Sequence, residues 1–260
     1  LLASDLFGGL EATINIAKLL SGSEGTLVFS TAITLQLDIV QPKESVIVAS
    51  HFKSIKESLK ATVLAMNHEL FACELMDKVI LDCTKNNREH SKNRFFIQGD
   101  PEAILMFEVS ANSIEEAQNK ADKLIADLDN NNFGYHHPKI IGEDIKRMFD
   151  LRKAGLGLLG NIIGDKKAVA CIEDTAVDLN DLPNYIEEFT KIMDKYQQKA
   201  VYYAHAGAGE LHLRPILNLK KSEDVSLFRK ITTETAQLVK KYGGSFSGEH
   251  GDGIVRAEFI

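Results

Sequence analysis

The chain has 260 residues and a formal net charge of −7, with 44% hydrophobic and 26% charged residues. This length is enough for one large domain with its own core, or for a domain and a smaller piece. Both fractions are ordinary for globular proteins, which excludes a disordered or fibrous chain. The negative balance argues against a nucleic-acid partner bound by bulk electrostatics.

The cysteines and the apolar runs of the sequence indicate the cellular compartment of the protein. Three cysteines without a C-x-x-C pattern suit buried thiols in a reducing environment, so the predicted location is the cytoplasm. The sequence has no apolar run near the ~20 residues of a membrane span, and it predicts no signal peptide. Peripheral attachment at the inner face of a membrane stays open. The chain begins at Leu1 without a methionine and ends at Ile260, so we expect a piece of a larger protein.

Residues 1–42 predict a helix end followed by strands. Residues 14–20 have a helical pattern, and a Ser-Gly-Ser-Glu-Gly turn follows at residues 21–25. Apolar and polar residues then alternate over residues 26–37, which fits a strand pair packed on one face. The turn could offer backbone amides to a phosphate or flavin, or it could be only a turn. Pro42 marks a boundary, so residues 43–260 are predicted to form a separate domain.

From residue 43 onward, predicted strands and helices alternate. The strands are predicted over residues 45–50, 103–110, 135–141, 168–174, 199–204 and 211–217. The helices are predicted over residues 53–85 with an interruption near 67–68, and over 113–129, 143–159, 182–197 and 222–242. This alternation fits either a parallel α/β sheet or an antiparallel split β-α-β sheet. Periodicity does not decide between them, and no close internal repeat is visible.

Two glycine-rich stretches near the end of the chain form the most informative pattern. His205 and His212 flank a segment with two glycines, and Glu249 and His250 lie within the glycine-rich residues 247–253. Two imidazoles and a carboxylate are a common ligand set for a divalent metal, and an adjacent histidine can move a proton. The two histidines converge only if the chain bends at the glycines, because an unbroken strand would point them to opposite faces. In an extended segment Glu249 and His250 would also point apart.

Each of these residues has a simpler interpretation. The glycine-rich turns could carry surface histidines, because the ligand spacing fits no standard zinc motif. Arg152 precedes glycines in the helix over residues 143–159 and could bind a carboxylate in bidentate fashion. Alternatively it is a surface arginine beside an exposed Lys153. For the adjacent pair His136 and His137 we predict a loop role.

These stretches resemble the FAD-linked oxidases and dehydrogenases of 2-hydroxy acids, the family of D-lactate dehydrogenase, the glycolate oxidase flavin subunit and D-2-hydroxyglutarate dehydrogenase. The resemblance covers nearly the whole chain and rests mainly on residues 205–212 and 247–253, with support from residues 151–155 and 173–177. It implies an α+β fold, a ferredoxin-like cap domain with an antiparallel sheet and helices on one face, over residues 43–260. Residues 1–42 would be the C-terminal edge of an FAD-binding domain.

The resemblance also implies the roles of individual residues. His205, His212 and Glu249 would bind a divalent metal such as zinc, manganese or iron. His250 would accept a proton, and Arg152 would contact the substrate carboxylate. The residues close to the flavin of a bound FAD would be Gly22, Ser23, Glu24 and Gly25.

The implied activity is the metal-assisted oxidation of a small 2-hydroxy acid, such as D-lactate, glycolate or 2-hydroxyglutarate, by hydride transfer to the flavin. This chain alone is not expected to turn over, because residues 1–42 are too short for a flavin domain. The electron acceptor is open. Residues 205–219 look most like large members with a fused iron–sulfur domain, and a separate iron–sulfur partner is the other option. The alternatives are a metal-dependent hydrolase and a non-catalytic binding module.

Three positions depart from the family pattern. The family often reads His-x-Gly-Asp-Gly-Asn-x-His, whereas this chain has Ala208 for the aspartate and Glu210 for the asparagine. Phe149 stands where a tryptophan usually precedes the arginine. A carboxylate at Glu210 would repel an anionic substrate unless it is turned away, paired or itself a ligand. The identity of the substrate is therefore open.

Overall fold

The structure is a computed structural model. It describes residues 16–21, 23, 25–37, 40, 42–85, 87–251 and 253–259. The chain divides into two compact units, Leu1–Val40 and Gln41–Ile260.

The first unit contains a short helix and a turn. Helix α1 (Ile16–Ser21) is followed by Ser23, whose hydroxyl donates to the carbonyl oxygen of Leu20 at 2.8 Å. Within the described residues 25–37 there is no strand, so the predicted strand pair over residues 26–37 is wrong there. A strand requires hydrogen-bonded neighbours, and the apolar side chains of this segment are exposed, Phe29 to 90%. Residues 14–15, predicted to be helical, lie outside the described residues.

The second unit is built on one sheet, which comprises eight strands among the described residues. They are β1 (Glu44–Phe52), β2 (Ala72–Asp77), β3 (Ala103–Ala111), β4 (Lys139–Ile141), β5 (Lys167–Ala168), β6 (Ile172–Ala176), β7 (Ala200–His205) and β8 (Glu210–Leu217). The strand order is β4-β1-β3-β2-β7-β8-β5, and β6 also pairs with β8. The pairings between these described strands are antiparallel, which decides against a parallel sheet.

Helices connect these strands. They are α2 (Ile55–Ala65), α3 (Lys78–Lys85), α4 (Ile114–Asn130), α5 (Glu143–Leu158), α6 (Leu182–Lys195), α7 (Ser222–Lys241) and the short α8 (Gly253–Arg256). The sequence predicted one interrupted helix over residues 53–85, and that prediction is wrong in its middle, where β2 lies. The helical interpretation included the apolar residues of this stretch, but the backbone of β2 pairs with β3 on one side and β7 on the other. Tertiary pairing thus overrides the local pattern.

The strand order contains two related halves. Strands β1 to β4 with α2 and α4 form a β-α-β-β-α-β unit in the ferredoxin-like order β4-β1-β3-β2. Strands β6, β7 and β8 with α6 and α7 follow the same plan in the order β6-β8-β7. Ser245, after α7, bridges Ala176 of β6 where a fourth strand would lie. The halves join where Leu75 and Met76 of β2 pair with β7.

Helices cover both faces of the sheet. In β1, Val46 and Val48 belong to one apolar core and Ile47 and Ala49 to another, and all four are fully buried. The first core packs against α2, α4, α6 and α7, and the second against α3 and α5. The predicted α+β fold with an antiparallel sheet is confirmed. The expectation of helices on one face is too narrow, because the apolar residues of β1 point both ways and each set needs a cover.

The face covered by α3 and α5 carries polar side chains near one end of β2, β7 and β8. Side chains alternate between the two faces of a strand, so Glu74, Tyr203 and His212 lie on this face together with Met76. Among the helices of the described residues, none is both long and apolar enough to span a membrane.

Candidate functional site

His205 and His212 converge because the hairpin between β7 and β8 bends sharply. A 3₁₀ turn over Ala206–Ala208 follows His205, and Gly209 continues it with φ of 71°. His205 then pairs with Glu210 across the hairpin, and His212 lies two residues further along the same face. The two imidazole centroids are 5.2 Å apart. The predicted bend at the glycines is confirmed.

Glycine is required at the end of this turn. A Cβ at Gly209 would lie 2.2 Å from the carbonyl oxygen of Val177. The positive φ is also unfavourable for residues with a side chain. Position 209 therefore fixes how closely β8 approaches the segment after β6.

Asp174 holds the segment that carries Glu249 and His250. Its Oδ1 accepts a hydrogen bond from the amide of Glu249 at 2.8 Å. Its Oδ2 accepts from the amide of His250 at 2.9 Å and from the Ser247 hydroxyl at 3.0 Å. Burial raises the pKa of Asp174, but these donated hydrogen bonds outweigh it and leave the pKa below its ordinary value. The ionised carboxylate thus fixes this segment through its backbone.

The bend of this segment brings Glu249 and His250 to the same cluster. Nε2 of His250 lies 3.4 Å from Oε1 of Glu249, and that oxygen lies 3.4 Å from Nε2 of His205 and 4.0 Å from Nε2 of His212. The expectation that Glu249 and His250 point apart is therefore wrong. The segment is not extended, because two consecutive amides turn toward Asp174 and form an anion-binding nest.

The donor set of this cluster fits a divalent cation. His205, His212 and Glu249 each offer a ligand atom, and these atoms lie within 4.8 Å of one another. Within the described residues, Nδ1 of His212 and Oε1 of Glu210 are buried without a hydrogen-bond partner. Buried polar atoms rarely lack partners. These two lie 3.7 Å from each other, so they mark the Glu210 side of the His212 ring, whereas Nε2 of His212 faces Glu249. Imidazole nitrogen and carboxylate oxygen are ligands that zinc, manganese and iron accept.

His212 is the most buried of the three candidate ligands. Its ring stacks between Tyr203 and His250, with centroid distances of 5.7 and 5.0 Å. Burial lowers the pKa of His212 to about 4, so the ring is neutral and keeps a lone pair. His212 also belongs to two other possible ligand groups, one with Glu173 and His250 and one with Asp174 and Glu210. The stack leaves the side chain of His250 41% exposed on the open side.

Arg152 lies on the buried side of α5 and belongs to the same cluster. It is 8% exposed, and its Cζ lies 4.3 Å from the ring centroid of Tyr203. Its Nη2 donates to Glu74, and its Nε has no hydrogen-bond partner within the described residues. The interpretation of Arg152 as a surface arginine is wrong, whereas the neighbouring Lys153 is exposed.

Glu74 is a site residue that sequence reasoning missed. Its carboxylate, on β2, accepts hydrogen bonds from Arg152 and from Nδ1 of His205 at 3.0 Å. The hydrogen bond to Glu74 raises the pKa of His205. The helical interpretation of residues 53–85 hid this residue. The available signal was a lone carboxylate within the apolar run over residues 70–76.

Arg214 and Glu173 form a second ion pair that the sequence did not indicate. Nη2 of Arg214 donates to Oε1 of Glu173 at 2.5 Å. Glu173 pairs with His212 across β6 and β8, and Arg214 follows His212 by two residues. The two-residue period of β8 places Arg214 on the face of His212, and that period was the signal available in the sequence.

Two departures from the family pattern lie next to the cluster. Glu210 is 7% exposed, and burial together with a hydrogen bond to Asp174 raises its pKa to about 7. A proton thus offsets part of the charge that Glu210 would bring. Ala208 lines a cavity of ≈ 300 Å³ that adjoins His205 and Glu74. The remaining lining residues are Met66, Leu70, Phe71, Ala72, Cys73 and Gly207.

The residues predicted to lie near a flavin belong to the first unit. Ser23 and Gly25 form the turn after α1, where the amide and the hydroxyl of Thr26 both donate to the carbonyl oxygen of Ser23. Gly22 and Glu24 lie outside the described residues.

Comparison with known proteins gives consistent findings. The family model described as FAD linked oxidases, C-terminal domain, matches residues 41–260. The sequence is 31% identical over 261 residues to D-2-hydroxyglutarate dehydrogenase from Haemophilus influenzae, covering 96% of this chain and 25% of that protein. It is 27% identical over 245 residues to D-lactate dehydrogenase from Archaeoglobus fulgidus, covering 93% of this chain and 50% of that protein. The chain thus spans about a quarter of the length of the D-2-hydroxyglutarate dehydrogenases it matches.

A solved structure supports the fold. The crystal structure of p-cresol methylhydroxylase with substrate bound superposes with a TM-score of 0.52 at 9% identity, covering 80% of this chain and 45% of that chain. At this identity the similarity concerns the fold alone.

Proposed function

Because the chain belongs to the family of FAD-linked oxidases, as their C-terminal domain, we propose that residues 43–260 are the substrate-binding part of an FAD-dependent oxidoreductase acting on a small 2-hydroxy acid. Residues 1–42 would be the C-terminal edge of the FAD-binding domain. The names of the relatives, D-2-hydroxyglutarate and D-lactate dehydrogenase, support this substrate class.

One observation carries the proposal. His205, His212 and Glu249 come from two glycine-rich stretches more than 35 residues apart, and the fold brings their ligand atoms within 4.8 Å. A fourth side chain, His250, stands against the same carboxylate oxygen at 3.4 Å. A cation site with an adjacent proton acceptor suits the oxidation of a hydroxyl group, because the cation polarises the hydroxyl and the acceptor takes its proton.

Each residue has a role that its surroundings suit. His205, His212 and Glu249 would hold a divalent cation. When bound, the cation would polarise the substrate hydroxyl and the flavin of the whole protein would accept the hydride. His250 would take the hydroxyl proton, because its ring is the exposed one of the histidine stack. Arg152 would orient the substrate carboxylate with the guanidinium nitrogens that Glu74 leaves available.

The first step of the test is cation binding. We expect the chain to bind about one Zn²⁺ or Mn²⁺ in calorimetric titration, and His205→Ala/His212→Ala to lose this binding because two ligands are gone. His68→Ala is the matched control, since His68 lies outside the cluster and contacts Asp127. Undiminished cation binding in the double variant would refute the assignment.

The second step is substrate recognition by the cation-loaded chain. The panel to titrate is D-lactate, glycolate and D-2-hydroxyglutarate. We expect dissociation constants on the order of millimolar, since a small ligand on an open site buries little surface. Removal of the cation by a chelator should abolish the binding, and Arg152→Lys should weaken it because a point charge cannot replace a bidentate fork. Equal binding with and without the cation would contradict the proposal.

A further inference from the structure

We propose that Glu74 is a positioning residue of this site: its carboxylate fixes the tautomer of His205 so that Nε2 faces Glu249 and a bound cation. The inference rests on the proposed cation site and adds a residue that lies outside both glycine-rich stretches. Glu74 is contributed by β2, a strand of the first half of the sheet, whereas His205 ends β7 in the second half.

The hydrogen bond between the two side chains determines the tautomer. Both carboxylate oxygens of Glu74 lie 3.0 Å from Nδ1 of His205. A carboxylate only accepts hydrogen bonds, so Nδ1 must carry the hydrogen. In the neutral ring the lone pair is then on Nε2, the atom that lies 3.4 Å from Oε1 of Glu249. Two acceptor atoms at this distance repel each other. A cation bound between them would accept both lone pairs and remove this repulsion.

The position of Glu74 is itself fixed. Arg152 donates to the same carboxylate, and the side chains of Arg152 and Glu74 are only 9% and 14% exposed. Arg152 is held in turn over the ring of Tyr203. The neighbour of Glu74 in β2, Leu75, pairs with Ala204, the neighbour of His205 in β7. The sheet therefore sets the distance between the carboxylate and the imidazole.

Glu74 acts through His205 and not as a ligand. Among the described residues, none of the three groups whose atoms could hold a cation contains Glu74. An outer carboxylate that orients a ligating histidine commonly changes cation affinity 10–100-fold when it is removed. This magnitude separates the proposed role from a purely structural ion pair.

The test combines Zn²⁺ titration with nitrogen NMR of the histidine rings. Glu74→Ala should weaken Zn²⁺ binding about 10–100-fold, whereas Glu74→Gln keeps an acceptor for Nδ1–H and should lose less. In the wild type without metal, at alkaline pH where the ring is neutral, His205 should show hydrogen on Nδ1, with its signals assigned from His205→Ala. Glu69→Gln is the matched control, because Glu69 is an exposed carboxylate paired with Lys120.

Glu74→Ala leaves Arg152 buried without its carboxylate partner, and an unpaired buried charge can unfold a protein. A second pair of variants therefore changes Arg152 as well. Arg152→Met should weaken Zn²⁺ binding less than Glu74→Ala does, because Glu74 still accepts from His205 although it loses the support of Arg152. Glu74→Leu/Arg152→Met removes both charges and should again bind about 10–100-fold more weakly.

The outcomes separate this inference from the proposed function. Wild-type Zn²⁺ affinity in a folded Glu74→Ala or in the double variant would overturn the role of Glu74, as would hydrogen on Nε2 of His205 in the wild type. If the wild type binds no Zn²⁺, the proposed cation site itself is refuted. If His205→Ala loses binding but the Glu74 variants do not, the cation site stands and only the inference about Glu74 fails.

Discussion

At the scale of single residues, Asp174 shows how a buried charge organises the candidate site. Its side chain is fully buried, and a buried carboxylate is costly unless donors saturate it. Two backbone amides and the Ser247 hydroxyl do so, and the guanidinium of Arg256 lies 3.9 Å away. Asp174 has φ of 83°, a conformation that aspartate and asparagine tolerate better than most residues. This backbone conformation directs the carboxylate at the amides of Glu249 and His250.

Asp174→Asn tests that role. Asparagine tolerates the positive φ, but its NH₂ group would face an amide donor and leave it unpaired. We expect a loss of about 1–3 kcal/mol in the free energy of unfolding, measured by urea denaturation, and weaker Zn²⁺ binding because Glu249 loses its support. Asp178→Asn is the control, since Asp178 accepts from the amide of Asn180 on the surface. Wild-type stability and Zn²⁺ affinity in Asp174→Asn would contradict this account.

Residue types in the sequence indicated part of this site. His205, His212 and Glu249 stand out because two imidazoles and a carboxylate are a common ligand set for a divalent metal, and the structure places them together. Glu74 and Asp174 could not be found in the same way. They act on the site through one imidazole and through backbone amides, and neither contact leaves a spacing in the sequence.

At the scale of elements, the β7–β8 hairpin decides whether the two imidazoles meet. The 3₁₀ turn and Gly209 reverse the chain within four residues, and the carbonyl oxygen of Gly209 accepts from the amide of Val177 at 3.0 Å. The hairpin is therefore tied to the segment after β6. A change at this turn should reach both histidines.

Gly209→Ala tests this coupling. The new methyl group would meet the carbonyl oxygen of Val177, and alanine is unfavourable at positive φ. We expect a loss of about 1–3 kcal/mol in unfolding free energy and weaker Zn²⁺ binding. Gly157→Ala is the control: it lies within α5 with open space around its Cβ, and should stabilise the protein by about 0.5–1 kcal/mol. Similar effects of the two substitutions on Zn²⁺ affinity would contradict the prediction.

The long helices and most strands were predictable because their apolar period is regular. The helix predicted over residues 143–159 is Glu143–Leu158, and the helix predicted over residues 113–129 is Ile114–Asn130, where the Ser113 hydroxyl accepts from the amide of Glu116. Strand β2 was not predicted, because its apolar residues were interpreted as part of the helix over residues 53–85. Its conformation is set by β3 and β7, which are distant in sequence.

At the scale of the whole molecule, the candidate site bridges the two halves of the second unit. Glu74 comes from β2 of the first half, His205 from β7 of the second, and Arg152 from α5 between them. Asp77 of β2 also accepts from the amide of Tyr202 of β7 at 2.9 Å. The sequence shows no repeat, so this joint was visible only in the strand order. The site therefore requires both halves to be folded and joined.

Buried ionisable groups make opposing contributions to the free energy of unfolding at acid pH. Burial lowers the pKa of His51 and of His212 to about 4, and burial raises the pKa of Asp77 and of Glu210 to about 7. As the pH falls from 6.5 to 4.5, the two imidazoles become protonated in the unfolded chain but stay largely neutral in the folded chain, which lowers the free energy of unfolding. Over the same range the folded chain takes up protons at the two carboxylates more readily, which raises it. The two effects oppose each other.

A substitution of His51 should reveal how much this imidazole contributes to the pH dependence of the free energy of unfolding. His51 is fully buried, with Nδ1 2.8 Å from the carbonyl oxygen of Ala49 and Nε2 accepting from the amide of Gln98. Burial, and then charges on His136 and His137, disfavour its protonation. In His51→Asn the side-chain NH₂ can still donate to Ala49 while the titration is gone.

We expect His51→Asn to be less stable than the wild type at pH 6.5, because the acceptor for Gln98 is lost. The stability that His51 contributes is present above its ordinary pKa of 6.5 and is lost as the pH falls toward the folded value of about 4. The gap between the two proteins should therefore narrow by about 2 kcal/mol at pH 4.5. Urea denaturation of both proteins at the two pH values, with a chelator present, measures the gap. A gap independent of pH would mean that His51 is protonated equally in the folded and unfolded chains.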